Sequence, residues 1–448
     1  MSFFINTGFR TGFFSLAALL LLIFQSTLCA QWVTEDYPMR AGWNAIWLST
    51  DASHDSIQNL VSGHSQDLGS GSEEVIKEVW RWNPNSSTAR FNQTPEGPPT
   101  QADNPIQPDT QWFVYERGVP ANTTITTFSA NAAYLVRVAD GAADITLQIT
   151  GKPVPPNVSW SSSGLNFFGF PMQTPANVSA RNFEAFLAAS DSLSVGTDIF
   201  RYVGGPLGVA NPVAAGAPRL TAVSRGQAYW IRSGQYSGYY GPLRVTVARF
   251  GLDFGDTTAA VTLRVENVTS QAVIATLTPT ASVAAPASQS AVAGDVPLLL
   301  RSPLNPTTGQ FTYDSLAAPS PHLLAAGEFK EFVIAVDRAS MAGTAGDVFQ
   351  SILQITDSLN ISRIDLPVRA VTTSRAGLWV GAALATQVDQ VTSAPDPQPD
   401  GTAVTAVTRD SGAEAPAKFP IRLIIHRSDS GSIKLLQQVY IGLDTSGN

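Results

Sequence analysis

Cysteine is almost absent from this sequence of 448 residues, since Cys29 is the only one. A disulfide framework needs paired cysteines, and a thiolate zinc site needs several of them, so both are excluded. Cys29 also lies in an N-terminal segment with the features of an export signal. Once that segment is removed, thiolate catalysis is excluded as well, and stability has to come from buried apolar cores.

Charge is also scarce, because only 14% of the residues are Asp, Glu, Lys or Arg and the formal net charge is −8. The only lysines are Lys77, Lys152, Lys330, Lys418 and Lys434. Nucleic-acid binding requires a basic face that replaces phosphate counterions, and a polybasic membrane contact requires a similar cluster. The sequence contains no such cluster, so we expect no nucleic-acid partner.

Motifs for catalysis or metal binding are missing. The four histidines are His54, His64, His322 and His426. No Gly-x-Ser-x-Gly elbow and no His-Glu-x-x-His motif occurs. The stretch 396–401 superficially resembles a calcium loop, but the position that requires a bidentate Glu is Val407. We therefore expect no enzyme activity and no cofactor, and weak calcium binding by this loop is left open.

The N-terminus has the order of a cleavable secretory signal peptide. Arg10 precedes the apolar run 13–24, and a polar break leads to Leu28-Cys29-Ala30. The run is too short to cross the hydrocarbon core of a bilayer comfortably, which argues against an uncleaved anchor. Leu28 is bulky where lipidated precursors have a small residue. We expect residues 1–30 to be removed, with cleavage after Cys29 or Ala30, and no transmembrane segment in the mature chain.

An internal repeat is the most informative feature of the chain. The matched segments are Gly42–Leu48 with Gly164–Phe170, the helix after Ser53 with the helix after Ser179, Val79–Trp82 with Ile199–Tyr202, and Ala133–Arg137 with Ala228–Arg232. They occur in the same order in both copies. We therefore predict two tandem β-rich repeat domains with one short helix each, at 35–153 and 154–249. The proline-rich stretch 83–110 is expected to be a loop of the first copy alone.

Residues 250–371 change in character and predict a β-sandwich with Gly and Asp turns. The informative residues are Leu252-Asp253-Phe254-Gly255, the Leu263, Val265 and Asn267 strand, the Gly327 hairpin before Phe332-Val333-Ile334, and the Ile364, Leu366 and Val368 strand. On these residues the segment resembles the immunoglobulin-like modules of the abnormal-spindle and hydin type, which also occur in choice-of-anchor bacterial surface proteins. The resemblance implies a structural or adhesive module without an activity. The preceding repeats resemble no family known to us.

The segment 372–448 predicts a further β domain. Gly377–Gly381, Ile421–His426 and Leu435–Ile441 have strand character, and prolines 395, 397 and 399 mark a loop. The chain stops in turn-forming residues with no returning strand, so we expect this last domain to be incomplete, or the chain to be a fragment of a longer protein. The fold class predicted for the whole chain is mainly β.

Aromatic residues provide the best functional hint. In the two Trp-Arg-Trp-like segments, alternation places both rings on one face of a strand, for which core packing is the favoured interpretation. The candidate glycan-stacking aromatics are Trp112, Tyr115, Tyr236, Tyr239 and Tyr240. Structural packing is again favoured for them, and a sugar-stacking platform is the alternative.

These observations predict a secreted or cell-surface protein with a non-catalytic structural or adhesion role. Its partners would be surface proteins, extracellular proteins or glycans. The alternative is a carbohydrate-binding or carbohydrate-processing extracellular protein. Aromatics on an exposed face, with carboxylates in a cleft, would favour this alternative.

Overall fold

A computed structural model describes most of the chain beyond residue 30. The described residues are 31–62, 75–86, 95, 111–174, 181–190, 198–208, 210–215, 220–248, 251–287, 289–306 and 311–373, together with the strands within 377–439. The chain divides into two compact units, residues 1–372 and 373–448. The expected signal peptide, most of the stretch 83–110, His64 and the 396–401 loop lie outside the described residues.

The first repeat is a two-sheet sandwich with a short helix. Its elements are β1 (Val33–Met39), β2 (Gly42–Leu48), β3 (Thr50–Asp51), α1 (Ile57–Ser62), β4 (Ile76–Trp82), β5 (Trp112–Glu116), β6 (Ala132–Val138) and β7 (Ile145–Pro153). One sheet has the order β2-β6-β4-β5 and the other the order β1-β7-β3. Alternate side chains of the two sheets, such as Tyr134 and Leu147, meet Ile57 of the helix in one apolar core.

The second repeat reproduces the larger sheet of the first with the same register. Its elements are β8 (Leu165–Phe168), α2 (Phe183–Ala188), β9 (Ile199–Arg201), β10 (Val213–Ala214) and β11 (Tyr229–Arg232). The order β10-β9-β11-β8 corresponds to β5-β4-β6-β2. The matching strand pairs are Asn44–Val136 with Asn166–Ile231, Val79–Val136 with Ile199–Ile231, and Arg81–Phe113 with Arg201–Val213. The strands of the matched segments therefore have the same order and register in the two copies.

A buried asparagine closes the turn before β2 in the first repeat and the turn before β8 in the second. Asn44 accepts a hydrogen bond from the backbone N–H of Arg40 at 2.9 Å, and its amide donates to the Arg40 carbonyl at 2.7 Å. Asn166 does the same with Ser161, at 2.7 and 3.0 Å. An Asn side chain satisfies backbone groups that a tight turn leaves unpaired, so the repeated Asn is part of the fold.

A buried tyrosine ties the last strand of each repeated sheet to the loop before it. The hydroxyl of Tyr134 accepts a hydrogen bond from the backbone N–H of Ser129 at 2.8 Å. The hydroxyl of Tyr229 accepts one from the N–H of Ser224 at 2.9 Å. Burial raises the pKa of both phenols, to about 12 for Tyr229. Both side chains therefore stay neutral and act as structural hydrogen-bonding groups.

The short helices begin at Ser56 and Asn182, each three residues after the serine that the sequence places before the helix. Ser56 and Asn182 accept hydrogen bonds from backbone N–H groups of the first turn, at 3.1 and 2.8 Å. A side-chain oxygen at this position satisfies a donor that has no partner within the helix. No helix within the described part of the chain is long and apolar enough to cross a membrane.

The third module is a sandwich of two five-stranded sheets. Its strands are β12 (Leu243–Val247), β13 (Leu252–Asp253), β14 (Ala260–Asn267), β15 (Val273–Ala281), β16 (Leu298–Arg301), β17 (Tyr313–Ser315), β18 (Ser320–Leu324), β19 (Phe329–Val336), β20 (Val348–Asp357) and β21 (Arg363–Val371). The sheets have the orders β12-β14-β19-β16-β17 and β13-β21-β20-β15-β18. The first two strands lie at the edges of different sheets. Strand β12 pairs with β14, and β13 runs parallel to β21. The grouping matches the immunoglobulin arrangement of strands.

Asn267, one of the residues on which the immunoglobulin-like resemblance rests, has a structural role in this module. Asn267 is fully buried, and its amide donates to the carbonyls of Gln271 and Ala325, at 2.7 and 2.9 Å. It thereby joins the β14–β15 turn to the hairpin before β19. That hairpin contains Gly327, whose φ of +67° is a conformation that favours glycine.

The strand Leu243–Val247 does not close the second repeat, although the sequence led us to expect it there. It pairs with β14 of the third module, with Val245 opposite Val265. The apolar interior of the second repeat, including Phe186 and Tyr229, is continuous with that of the third module. Alternation along a strand shows that one face is buried, but it does not show which sheet the strand joins.

The second compact unit contains only strands among its described residues. They are β22 (Gly377–Ala385), β23 (Val388–Ser393), β24 (Thr408–Ala415), β25 (Phe419–Arg427) and β26 (Ile433–Val439). The sheet order is β22-β25-β26, and β23 pairs with β24. All of these pairings are antiparallel. The unit adds to the mainly β class predicted for the chain.

Candidate functional site

The two repeats are joined face to face by an aromatic cluster. We call its members the inter-repeat cluster; they are Trp43, Trp47, Trp82, Trp112, Phe167, Tyr202 and Trp230, all buried. Trp230 stacks on Phe167 at 4.5 Å between ring centroids and meets Trp82 edge-on at 4.9 Å. Because such aromatic pairs add to the free energy gained by burial, this cluster binds the repeats firmly together.

The joined strands are buried on both faces. Trp43 and Trp47 of β2 point into the inter-repeat cluster, whereas Ile46 and Leu48 point into the core of the first repeat. A strand buried on both faces has a continuous apolar run instead of an alternating pattern. The unbroken run of β2 is the sequence signal that indicates this packing, and our sequence analysis did not use it.

Backbone hydrogen bonds also join the two repeats along the edge of β2 that has no neighbouring strand in its own sheet. The N–H of Trp43 donates to the Gly205 carbonyl at 3.0 Å, and the N–H of Trp47 donates to the Gly226 carbonyl at 2.9 Å. Gly42 lies so close to the second repeat that a Cβ there would be 2.4 Å from the backbone of Gly205. Glycine is therefore required at position 42, where the backbones of the two repeats meet.

Gly169→Ala is expected to destabilise the protein by about 1–3 kcal/mol, the usual cost of overpacking a core. A Cβ at Gly169 would lie 2.2 Å from the Cβ of Trp47 and 2.6 Å from the backbone carbonyl oxygen of Gln227. Gly238→Ala is the matched control, because its nearest heavy atom would be 3.7 Å away. Urea unfolding measures both variants. Equal free energies of unfolding would contradict the close approach at Gly169.

A group of four charged side chains lies where the three modules meet. This junction cluster consists of Glu35, Arg225, Arg363 and Asp365. Arg225 donates to Glu35 at 2.7 Å and to Asp365 at 2.9 Å, and its side chain is only 9% exposed. Arg363 donates to the same two carboxylates, at 3.0 and 2.9 Å. Two cations and two anions balance, so the cluster is neutral.

The buried charge of Arg225 is held by its partners. Burial by itself would lower the pKa of Arg225, but the charges of Glu35 and Asp365 outweigh it and raise that pKa. A second donor group of Arg225 contacts the carbonyl of Arg363 at 3.1 Å. Because Glu35 belongs to the first repeat and Asp365 to the third module, Arg225 of the second repeat connects all three.

A groove of about 600 Å³ opens along the seam between the repeats. The described residues that line it are Tyr37, Pro38, Met39, Arg40, Asn44, Ala45, Ile46, Asp144, Ile145, Thr146, Arg201, Tyr202, Val203, Ser224, Arg225, Gly226 and Gln227. Both repeats contribute, so the groove exists only when they are packed together. None of these residues was a candidate in the sequence analysis, because a site formed by two modules leaves no local motif.

The five candidate aromatics do not form an exposed platform. Trp112, Tyr115, Tyr239 and Tyr240 are 2–6% exposed, and only Tyr236 is exposed, at 73%. Trp112 packs in the inter-repeat cluster, and the hydroxyl of Tyr239 donates to the Phe186 carbonyl at 2.6 Å. Sugar stacking requires an accessible ring face, which these four buried side chains lack. Trp82 belongs to the inter-repeat cluster, and Trp80, on the same side of β4, packs against it.

Among the residues that the structure describes, Ser320 and His322 are the pair that most resembles a nucleophile with its base. The Ser320 hydroxyl lies 3.0 Å from Nε2 of His322. A working base of this kind is oriented by a third group, usually a carboxylate that stabilises the imidazolium. Burial and the positive charge of Lys330 instead lower the pKa of His322. These surroundings therefore disfavour the protonated imidazolium that His322 would have to form as a base.

His54 packs edge-on against Trp32, with 4.7 Å between ring centroids. Trp32 is fully buried, and its backbone N–H donates to the Ser282 hydroxyl of the third module at 3.0 Å. Burial is the main cause that lowers the pKa of His54, and Lys152 adds to it, although Asp55 and Asp51 oppose the shift. His54 is therefore neutral near pH 7 and packs against Trp32, near the first described residue.

Stability is expected to fall between about pH 7.5 and pH 5.5, and His54→Gln is expected to reduce this dependence. The pKa of His54 is lower in the folded protein than its ordinary value of 6.5. Its contribution is therefore complete above pH 6.5 and is lost as the pH falls through the lower, folded pKa. Urea unfolding at both pH values tests this. An identical pH dependence in wild type and variant would contradict it.

Neither a protein-family model nor a curated protein matches this chain. Among solved structures, the chain is similar to PapD-like domain 7 of human CEP192, with 11% identity and a TM-score of 0.18, over 30% of this chain and 87% of that one. It is also similar to the Pseudomonas aeruginosa CupB2 chaperone, with 13% identity and a TM-score of 0.19, over 43% and 99%. The E. coli chaperone DraB has 10% identity and a TM-score of 0.18, over 44% and 97%. The immunoglobulin-like order of the third module is evident from its own strand pairing.

Proposed function

We propose that this chain is a non-catalytic protein of the cell exterior with a structural or adhesive role. In this proposal the two repeats and the immunoglobulin-like module act together as a rigid spacer that presents contact surfaces. The finer assignment of the third module to the abnormal-spindle and hydin type is part of the same proposal.

The observation that carries the proposal is the way the three modules are fastened together. The inter-repeat cluster joins the first two, the second shares an apolar interior with the third, and the junction cluster connects all of them. Modules separated by exposed linkers are expected to move relative to one another, whereas large apolar interfaces prevent this. A protein built in this way is suited to holding surfaces in fixed positions.

The location rests on the N-terminal segment and on the lack of cysteine in the remaining chain. The order of Arg10, the apolar run and Ala30 supports export. A cysteine-free chain that depends on packed cores is compatible with an oxidising exterior, because it has no thiol to react.

Carbohydrate binding is the second candidate function. The groove between the repeats supports it, whereas the candidate aromatics do not. Four of the five candidate rings are buried, so stacking on them carries no weight. The groove between the repeats has instead the size of a site for a small ligand, since such pockets usually enclose about 300–1,000 Å³. Its lining includes two exposed arginines, Arg40 and Arg201.

Three measurements test the proposal. Expression of the full chain in a bacterium, followed by N-terminal sequencing of the exported product, should give a start at Ala30 or Gln31. Limited proteolysis should leave the connections near residue 153 and within residues 233–242 uncut. A screen against glycosides, esters and peptides should detect no turnover. Full-length chain in the cytosol, cleavage between the modules, or turnover that one Asp, Glu or His substitution abolishes would each contradict the corresponding part.

A further inference from the structure

The inter-repeat groove carries uncompensated positive charge in a protein with a formal net charge of −8. Arg40 comes from the first repeat and Arg201 from the second, and both are exposed. Within the described part of the chain, neither forms an ion pair. Asp144 is the only carboxylate among the described lining residues, and the junction cluster neutralises Arg225. The groove therefore favours an anionic ligand.

Polar groups with spare hydrogen-bonding capacity accompany the two arginines. Thr146 and Ser224 are exposed lining residues with a hydroxyl group. Gln227 accepts a hydrogen bond from the hydroxyl of Tyr229 at 2.7 Å through its carbonyl oxygen. Its amide nitrogen has no partner among the described residues and is available as a donor. Such groups suit a ligand that carries several hydroxyl groups.

The geometry points to the groove as a binding site for an acidic glycan, a short oligosaccharide that contains uronic acid. Its carboxylates pair with Arg40 and Arg201, because a guanidinium matches a carboxylate with two parallel hydrogen bonds. Its ring hydroxyls bond to Thr146, Ser224 and Gln227. The volume of about 600 Å³ accommodates a ligand of this size.

An acidic peptide would offer the same carboxylates, but the lining fits it less well. Peptides and proteins usually bind through an apolar or aromatic anchor that fills a pocket. The apolar side chains Met39, Ile46 and Ile145 are only 1–7% exposed, so they offer no pocket for such an anchor. The inference rests on the second candidate function, carbohydrate binding, and specifies the ligand class of that groove.

The test is calorimetric titration of the exported chain with tetragalacturonate and tetramannuronate. Arg40→Gln and Arg201→Gln should each weaken binding about tenfold, because each removes a charged hydrogen bond. Asp144→Asn should strengthen binding severalfold, a gain that misfolding cannot produce. Arg244→Gln is the matched control and should leave the affinity unchanged, because Arg244 lies in the third module beside Glu266 at 3.8 Å. An unaltered near-ultraviolet circular dichroism spectrum shows that the inter-repeat cluster is intact in each variant.

Several outcomes separate the inference from the proposed function. Equal affinity for the methyl-esterified oligosaccharide, equal weakening by Arg244→Gln, or tighter binding of tetraglutamate would overturn the acidic-glycan assignment. Failure of both oligosaccharides to bind would also overturn it and leave the structural role intact. Hydrolysis of the bound oligosaccharide would keep the ligand assignment and overturn the non-catalytic role.

Discussion

Arg225→Ala is expected to destabilise unit 1–372 by about 3–5 kcal/mol, because it leaves buried carboxylates without their main partner. The side chains of Glu35 and Asp365 are 13% and 3% exposed, so water cannot replace the lost charge effectively. Arg363 still contacts both carboxylates but is itself 27% exposed. Urea unfolding gives the change in the free energy of unfolding.

Two further variants identify the cause of that change. Arg225→Lys keeps the positive charge but loses the planar fork that contacts both carboxylates, so we expect it to recover only part of the stability. Arg244→Ala removes a more exposed ion pair with Glu266 and should cost less than about 1 kcal/mol. If Arg225→Ala and Arg244→Ala had equal effects, the junction cluster would not hold the modules together.

Trp230→Ala is expected to cost about 3–5 kcal/mol, the usual range for removing a fully buried large aromatic side chain. Trp230 has no exposed surface and contacts Phe167, Trp82 and Trp112 of the inter-repeat cluster. The cavity would open between the two repeats, where neither core can readily fill it. The free energy of unfolding and the near-ultraviolet circular dichroism of the tryptophans report the loss.

The control for Trp230 is an aromatic residue of the same repeat that lies on the surface. Tyr236 is 73% exposed, so Tyr236→Ala should change the free energy of unfolding by less than about 0.5 kcal/mol. The same variant tests whether Tyr236 alone contributes to glycan binding, for which we expect no effect. A small change for Trp230→Ala, similar to that of Tyr236→Ala, would show that the repeats are held together by other contacts.

Much of the local structure is predictable from the sequence. The Gly-x-Asn segments close a turn through Asn44 and Asn166. The Ala-Tyr segments form strands that Tyr134 and Tyr229 tie to the preceding loop. The strands of the third module follow from alternating apolar residues and turn-forming residues. Such features depend on neighbours in the chain, so their signals survive in a single sequence.

The candidate aromatics show where sequence reasoning ends. A ring in a Gly-rich connection, such as Tyr239 or Tyr240, has the same local sequence whether it is exposed or buried. Tyr239 is buried because Trp160 and Phe186 pack around it and bond to its backbone and side chain. Those partners come from distant parts of the chain, and no local pattern indicates them.

The sequence by itself determined the mainly β class, the tandem repeat with its register, and the immunoglobulin-like character of the third module. These properties follow from periodicity and turn chemistry, which act over a few residues. Only the tertiary structure decided that β12 joins the third module, that Arg225 connects three modules, and that Arg40 and Arg201 share one groove. Contacts between residues far apart in the chain depend on which faces pack together, and that choice is made by the whole set of buried surfaces at once.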